Sequence, residues 1–138
     1  MKIRIQYIII LSALVSFSCS KKPEYIKVVG NWKVYDADFD STKLDKAFID
    51  KARKSVESSS YGFQADKHFQ ISDLSFSGGS YRGIWSYSED KKTLTLFYPD
   101  FNIDPEVYEV IKLNRRTMII RLRNTYGYYE YKMKKIKD

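Results

Sequence analysis

The sequence predicts a mainly β fold: an eight-stranded antiparallel up-and-down β-barrel with one helix between the first and second strands. Three observations predict it. Apolar and polar residues alternate at period two over most of the chain, the signature of strands with one covered face. Turn-forming segments separate these runs at short intervals, which suits hairpins between sequential strands. One stretch alone, residues 42–58, carries apolar residues at three- and four-residue spacing. Closing such a meander removes the unpaired edges that otherwise invite aggregation.

The first strand opens at Gly30, with Trp32, Val34 and Asp36 alternating against Lys33 and Tyr35. In the helix, Leu44, Ala47, Phe48, Ala52 and Val56 form one stripe, and Thr42 with Asp45 reads as a capping box. That stripe, Phe48 included, is expected to be buried, with the helix acting as a plug or lid at one barrel end. Strands at 60–63 and 68–72 flank a turn at Ala65-Asp66-Lys67, with Tyr61, Phe63, Phe69 and Ile71 inward. A loop, Ser77-Gly78-Gly79-Ser80, leads to a strand at 81–88 that places Tyr81, Gly83, Trp85 and Tyr87 on one face. After the polar turn Glu89-Asp90-Lys91-Lys92, Leu94, Leu96 and Tyr98 share a side. Pro99 and Pro105 bound a longer loop, because proline removes a ladder donor. The last strands fall at 106–113, 117–123 and 128–135, with Met118, Ile120 and Leu122, then Tyr129, Tyr131 and Met133, facing in.

Cys19 is the sole cysteine. Lys2 and Arg4 precede an apolar run at 7–17, which is too short to span the roughly 30 Å of a bilayer core as a helix, so the N-terminus reads as a secretory signal. Ser18 before Cys19 is similar to a bacterial lipoprotein cleavage site, whose thiol is acylated. An exported chain with one thiol forms no internal disulfide, which fits a modified cysteine. The expected division is a signal peptide at 1–18, a lipidated tether at 19–28 and a barrel domain at 29–138. The expected address is the cell envelope. Lys21-Lys22 in place of an acidic tag points to the periplasmic face of the outer membrane, with the membrane as partner through the Cys19 anchor.

The net charge of +7 is spread among interleaved acidic residues. It forms no continuous phosphate-tracking stripe, which argues against nucleic acid as a partner. Catalysis is not expected: His68 is the only histidine and follows a turn, no Cys/His pair is available, and no spacing suggests a metal or cofactor site.

Gly30-Asn31-Trp32, Phe63-Gln64-Ala65-Asp66, Gly83-Ile84-Trp85-Ser86 with Thr93-Leu94-Thr95-Leu96, and the apolar-rich segment 108–122 together resemble the lipocalin-like domain of small lipoproteins from the Bacteroidota. The resemblance covers residues 29–136. It implies a small barrel with a helix after the first strand, and a role for Trp32 in closing one barrel end beside a basic side chain. A barrel of eight strands is filled by side chains or holds one small ligand. The expected ligand-binding residues are Tyr61, Phe63, Trp85, Tyr98, Tyr129 and Tyr131. The expected ligand is a small hydrophobic or amphipathic molecule at the mouth, neutral or weakly polar, because Arg82, Arg121 and Arg123 fall out of phase with the inward residues. The alternative is a filled barrel that docks a protein, glycan or lipid headgroup.

Overall fold

The computed structural model describes residues 20–72, 80–125 and 127–137. Cys19, the signal segment 1–18 and residues 77–79 of the glycine-serine loop lie outside them. A 3₁₀ helix, Glu24–Lys27, precedes β1 (Gly30–Asp40), α1 (Lys46–Glu57), β2 (Ser60–Phe63), β3 (His68–Ser72), β4 (Ser80–Ser88), β5 (Thr93–Phe97), β6 (Glu106–Leu113), β7 (Thr117–Asn124) and β8 (Gly127–Lys135). The strands form a closed barrel in sequence order, and β8 returns antiparallel to β1. The predicted fold class is the observed one.

Period-two alternation governs the wall, with two shifts in register. One falls between Val34 and Asp36 of β1, opposite β8. A bulge of this kind moves every later side chain to the other face. Ala37 is therefore buried and Phe39 half-buried, whereas Asp36, expected on the inner face, turns outward to an ion pair with Lys132 at 2.7 Å. The second shift falls between Val110 and Lys112 of β6. Gly83 in β4 has a steric explanation. A Cβ there would lie 2.0 Å from the Phe97 carbonyl oxygen and 2.7 Å from the Phe69 ring, so only glycine lets that ring cross the wall.

One continuous core runs through the barrel, and the end that holds Trp32 and Trp85 is called here the floor. Trp32, Phe63, Trp85, Leu94, Leu96, Met118, Ile120 and Met133 are at most 2% exposed. Each floor indole donates its N–H to a backbone carbonyl: Trp32 to Val28 at 2.8 Å and Trp85 to Gln64 at 3.0 Å. Two lysines cap these rings. Lys135 Nζ lies 4.8 Å from the Trp32 ring centroid and donates to the Val29 carbonyl at 2.7 Å. Lys67, at φ 74°, sends Nζ between the Tyr25 ring at 3.6 Å and the Trp85 ring at 4.2 Å. Desolvated cation–π contacts contribute about 0.5–2 kcal/mol each. The 3₁₀ helix closes the floor from below. Its Glu24 accepts from Tyr87 Oη at 3.1 Å and Lys92 Nζ at 2.5 Å, and the Lys92 ammonium is the first cause holding the Glu24 carboxyl below its ordinary value.

The helix departs from expectation. It starts at Lys46 with Asp45 as N-cap, whose Oδ1 accepts from Phe48 N at 2.8 Å, so Thr42 and Leu44 precede it. Ser55 is its buried residue, Ile49, Ala52, Arg53 and Val56 are half-buried, and Phe48 is 54% exposed. The reason lies in the sheet. β2 pairs with β1 only over Gly30–Lys33, so the later part of β1 has β8 on one side and no strand on the other. The helix occupies that side, rotated so that Arg53 Nε donates to the Ala37 carbonyl at 3.0 Å. It completes the wall, and does not plug an end.

Candidate functional site

Opposite the floor the side chains leave space. A cavity of about 260 Å³ opens at the mouth, walled by β2 to β6, the end of α1, β8 and the 99–105 loop. Its apolar surface comes from Val56, Ile71, Tyr81, Phe101 and Ile103, and its polar groups from Ser59, Tyr61, Tyr98, Glu106, Tyr108 and Tyr131. A shallow groove of about 600 Å³ also runs outside β1 to β3, lined by Asn31, Ser60, Gln64 and Gln70. Lys137 is the one charged residue of its described lining and no second charged group converges with it, so the mouth is the candidate site.

Glu106 organises the polar side. It is the first residue of β6, pairs with Leu96 and shares the inward phase of Tyr108 and Val110. Its Oε2 accepts two hydrogen bonds, from Tyr98 Oη and Tyr108 Oη, each at 2.9 Å. Burial first, then the neighbouring tyrosines and the Glu106 charge, push the Tyr108 phenol well above its ordinary value. Burial and Glu106 push Tyr98 and Tyr131 in the same direction. These hydroxyls therefore stay protonated and act as donors. The aromatic rim is formed by Phe101, whose ring centroid is 5.7 Å from Tyr81 and 6.5 Å from Tyr98.

Of the six residues expected to bind ligand, Tyr61, Tyr98 and Tyr131 line this cavity. The other three do not. Phe63 and Trp85 lie deeper, packed edge to face at 5.7 Å, because the indole is fixed to the Gln64 carbonyl at the floor. Tyr129 is half-buried against Phe39, at 5.0 Å, at the β1–β8 seam. Trp32 sits in the floor beneath Lys135. Cys19 is outside the described residues.

The sequence reading missed Glu106, Tyr108 and the loop pair Phe101 and Ile103 as lining residues. Stepping back two residues from Tyr108 would have found Glu106; nothing local marks the loop pair. His68 is exposed, with Nδ1 3.2 Å from Asp66. Among the described residues no group of three His, Cys, Asp or Glu could hold a metal, and no helix is long and apolar enough to cross a membrane.

The sequence matches no protein-family model and no curated protein. Its fold is similar to solved structures from Bacteroides. A lipocalin-like protein from Bacteroides uniformis superposes with a TM-score of 0.52 at 16% identity, over 80% of this chain and 99% of that one. A second Bacteroides uniformis protein gives 0.53 at 20% identity over 81% and 91%. An uncharacterized protein from Bacteroides eggerthii gives 0.53 at 17% identity over 78% and 98%. The chain thus has a lipocalin-like barrel fold.

Proposed function

We propose that this protein is a lipid-anchored, non-enzymatic envelope barrel of the kind found in small lipoproteins of the Bacteroidota, and that it binds a small amphipathic molecule at its mouth. The observation that carries the reading is the mouth cavity. Its 260 Å³ approaches the roughly 300 Å³ at which ligand pockets begin. It pairs apolar walls with a few convergent polar groups, the composition of small-molecule sites. The filled-barrel alternative is less favoured, since the core side chains Tyr61, Ile71, Tyr98, Tyr108 and Tyr131, though buried, still border an open cavity. Anchoring at Cys19 rests on the sequence around it.

Two experiments test the proposal. N-phenyl-1-naphthylamine, an apolar fluorophore, should give saturable fluorescence with the wild-type chain and a weaker, right-shifted titration with Ile71→Trp, which narrows the cavity. Equal, unsaturable signal in both proteins would leave the mouth without a carrier role. Separately, metabolic labelling with a fatty acid should tag the wild type and not Cys19→Ser. A Cys19→Ser protein that stays labelled and membrane-bound would remove the lipoprotein reading.

A further inference from the structure

We infer that the mouth selects an amphiphile with a cationic head, an ammonium group seated on Glu106 with an aromatic or short aliphatic body against the apolar wall. The inference rests on the carrier reading above and names its ligand class. Among the described residues, Glu106 is the only charged side chain that lines the cavity, and no lysine, arginine or histidine forms an ion pair with it. A half-buried carboxylate beside apolar side chains attracts a cation, which none of the described residues supplies.

The hydrogen bonding points the same way. Both described donors to Glu106 converge on Oε2, and Oε1 takes no donor from the described residues. The nearby Ser59 hydroxyl already donates to the Val56 carbonyl at 2.6 Å. An ammonium group arriving at Oε1 therefore meets an acceptor that no described residue occupies and forms a charge-assisted hydrogen bond, stronger than a neutral one. Tyr81, Phe101, Ile71 and Ile103 line the same cavity and offer apolar surface to the body of the ligand. A carboxylate ligand meets the opposite: a like charge and no inward arginine. The net charge of +7 does not reverse this, because distant surface cations are screened over about 8–10 Å at ordinary salt, whereas Glu106 is in contact.

Three probes with one aromatic body separate the possibilities: 2-phenylethylamine, 2-phenylethanol and phenylacetate, titrated into the purified chain and followed by NMR shifts of cavity residues. The amine should bind tenfold or more tightly than the alcohol, roughly the factor expected of a charge-assisted bond, and phenylacetate most weakly. Raising salt from about 0.05 to about 0.5 M should erode the amine preference and leave the alcohol unchanged. In Glu106→Gln, whose amide oxygen can still accept from both tyrosines, the amine should fall to the alcohol's affinity. The salt series needs no variant, so it stands if Glu106→Gln folds poorly. Equal binding of amine and alcohol, or an amine preference that survives in Glu106→Gln, would overturn the head-group inference while leaving carriage intact. Fluorophore binding with no response to any of the three probes would overturn it too. Failure of the fluorophore as well would take the carrier reading with it.

Discussion

The two ends of this barrel use the same residue types for opposite ends. At the floor, aromatic rings are buried to 2% exposure or less, their N–H groups are tied to backbone carbonyls, and lysines lie across their faces. At the mouth, tyrosines turn their hydroxyls inward to a carboxylate, and Phe101 and Ile103 remain 46% and 52% exposed. The floor ties both indole N–H groups to backbone carbonyls, while at the mouth one Glu106 oxygen takes no donor from the described residues and lies beside an apolar wall. In a domain of this size one core must supply most of the stability. That core is continuous, but the two indoles seal one end of it, while at the other the buried tyrosines border a cavity.

The strongest way to break the comparison is Trp32→Ala. Removing a fully buried indole should cost about 3–5 kcal/mol in urea unfolding. A loss under about 1 kcal/mol would mean that Trp32 does not seal the floor. A smaller effect sharpens the contrast at the mouth. The Tyr98, Tyr108 and Tyr131 phenols are all raised by burial, so the folded state keeps protons that the unfolded state releases above about pH 10. Below that pH both states hold them and stability is unaffected. Above it the unfolded state is favoured, and the urea midpoint should fall as pH rises. Tyr108→Phe should make that fall shallower; an identical alkaline slope in the variant would place the cause elsewhere. The smallest effect is expected at Phe48→Ala, whose ring is more than half exposed on the outer face of α1. Unfolding should shift by no more than about 0.5 kcal/mol. A loss of several kcal/mol would restore the helix to the plug that its sequence stripe suggests.

The strand ladder was legible because each strand is short, alternating and closed by turn residues, so local pattern and final topology agree. Where the reading erred, a non-local partner decided. Nothing in the 42–58 segment announces that β1 lacks a second strand beyond Lys33, and it is that gap which rotates Arg53 inward and Phe48 outward. The β1 bulge was equally silent, and it moved Asp36 to the outer face. Cavity depth also depends on three dimensions: Phe63 and Trp85 share the inward phase of Tyr61 and Tyr98, yet sit below the space that those tyrosines line. Glu106 was within reach of period-two counting from Tyr108. A carboxylate at an inward position runs against the usual exclusion of acidic side chains from a barrel interior, so period two alone does not single it out.

The 3₁₀ helix at the floor carries a topographical consequence. Chain direction places Glu24 and Lys27 at the sealed end, opposite Phe101 and Ile103, with Glu24 bound to Lys92 and Tyr87 in the barrel. Residues 20–23 bridge Cys19 to that helix and reach about 14 Å at most. With the anchor proposed at Cys19, the sealed end is moored to the bilayer and the mouth faces away from it. On that proposal a ligand would enter from the aqueous side, through a surface for which lipid does not compete.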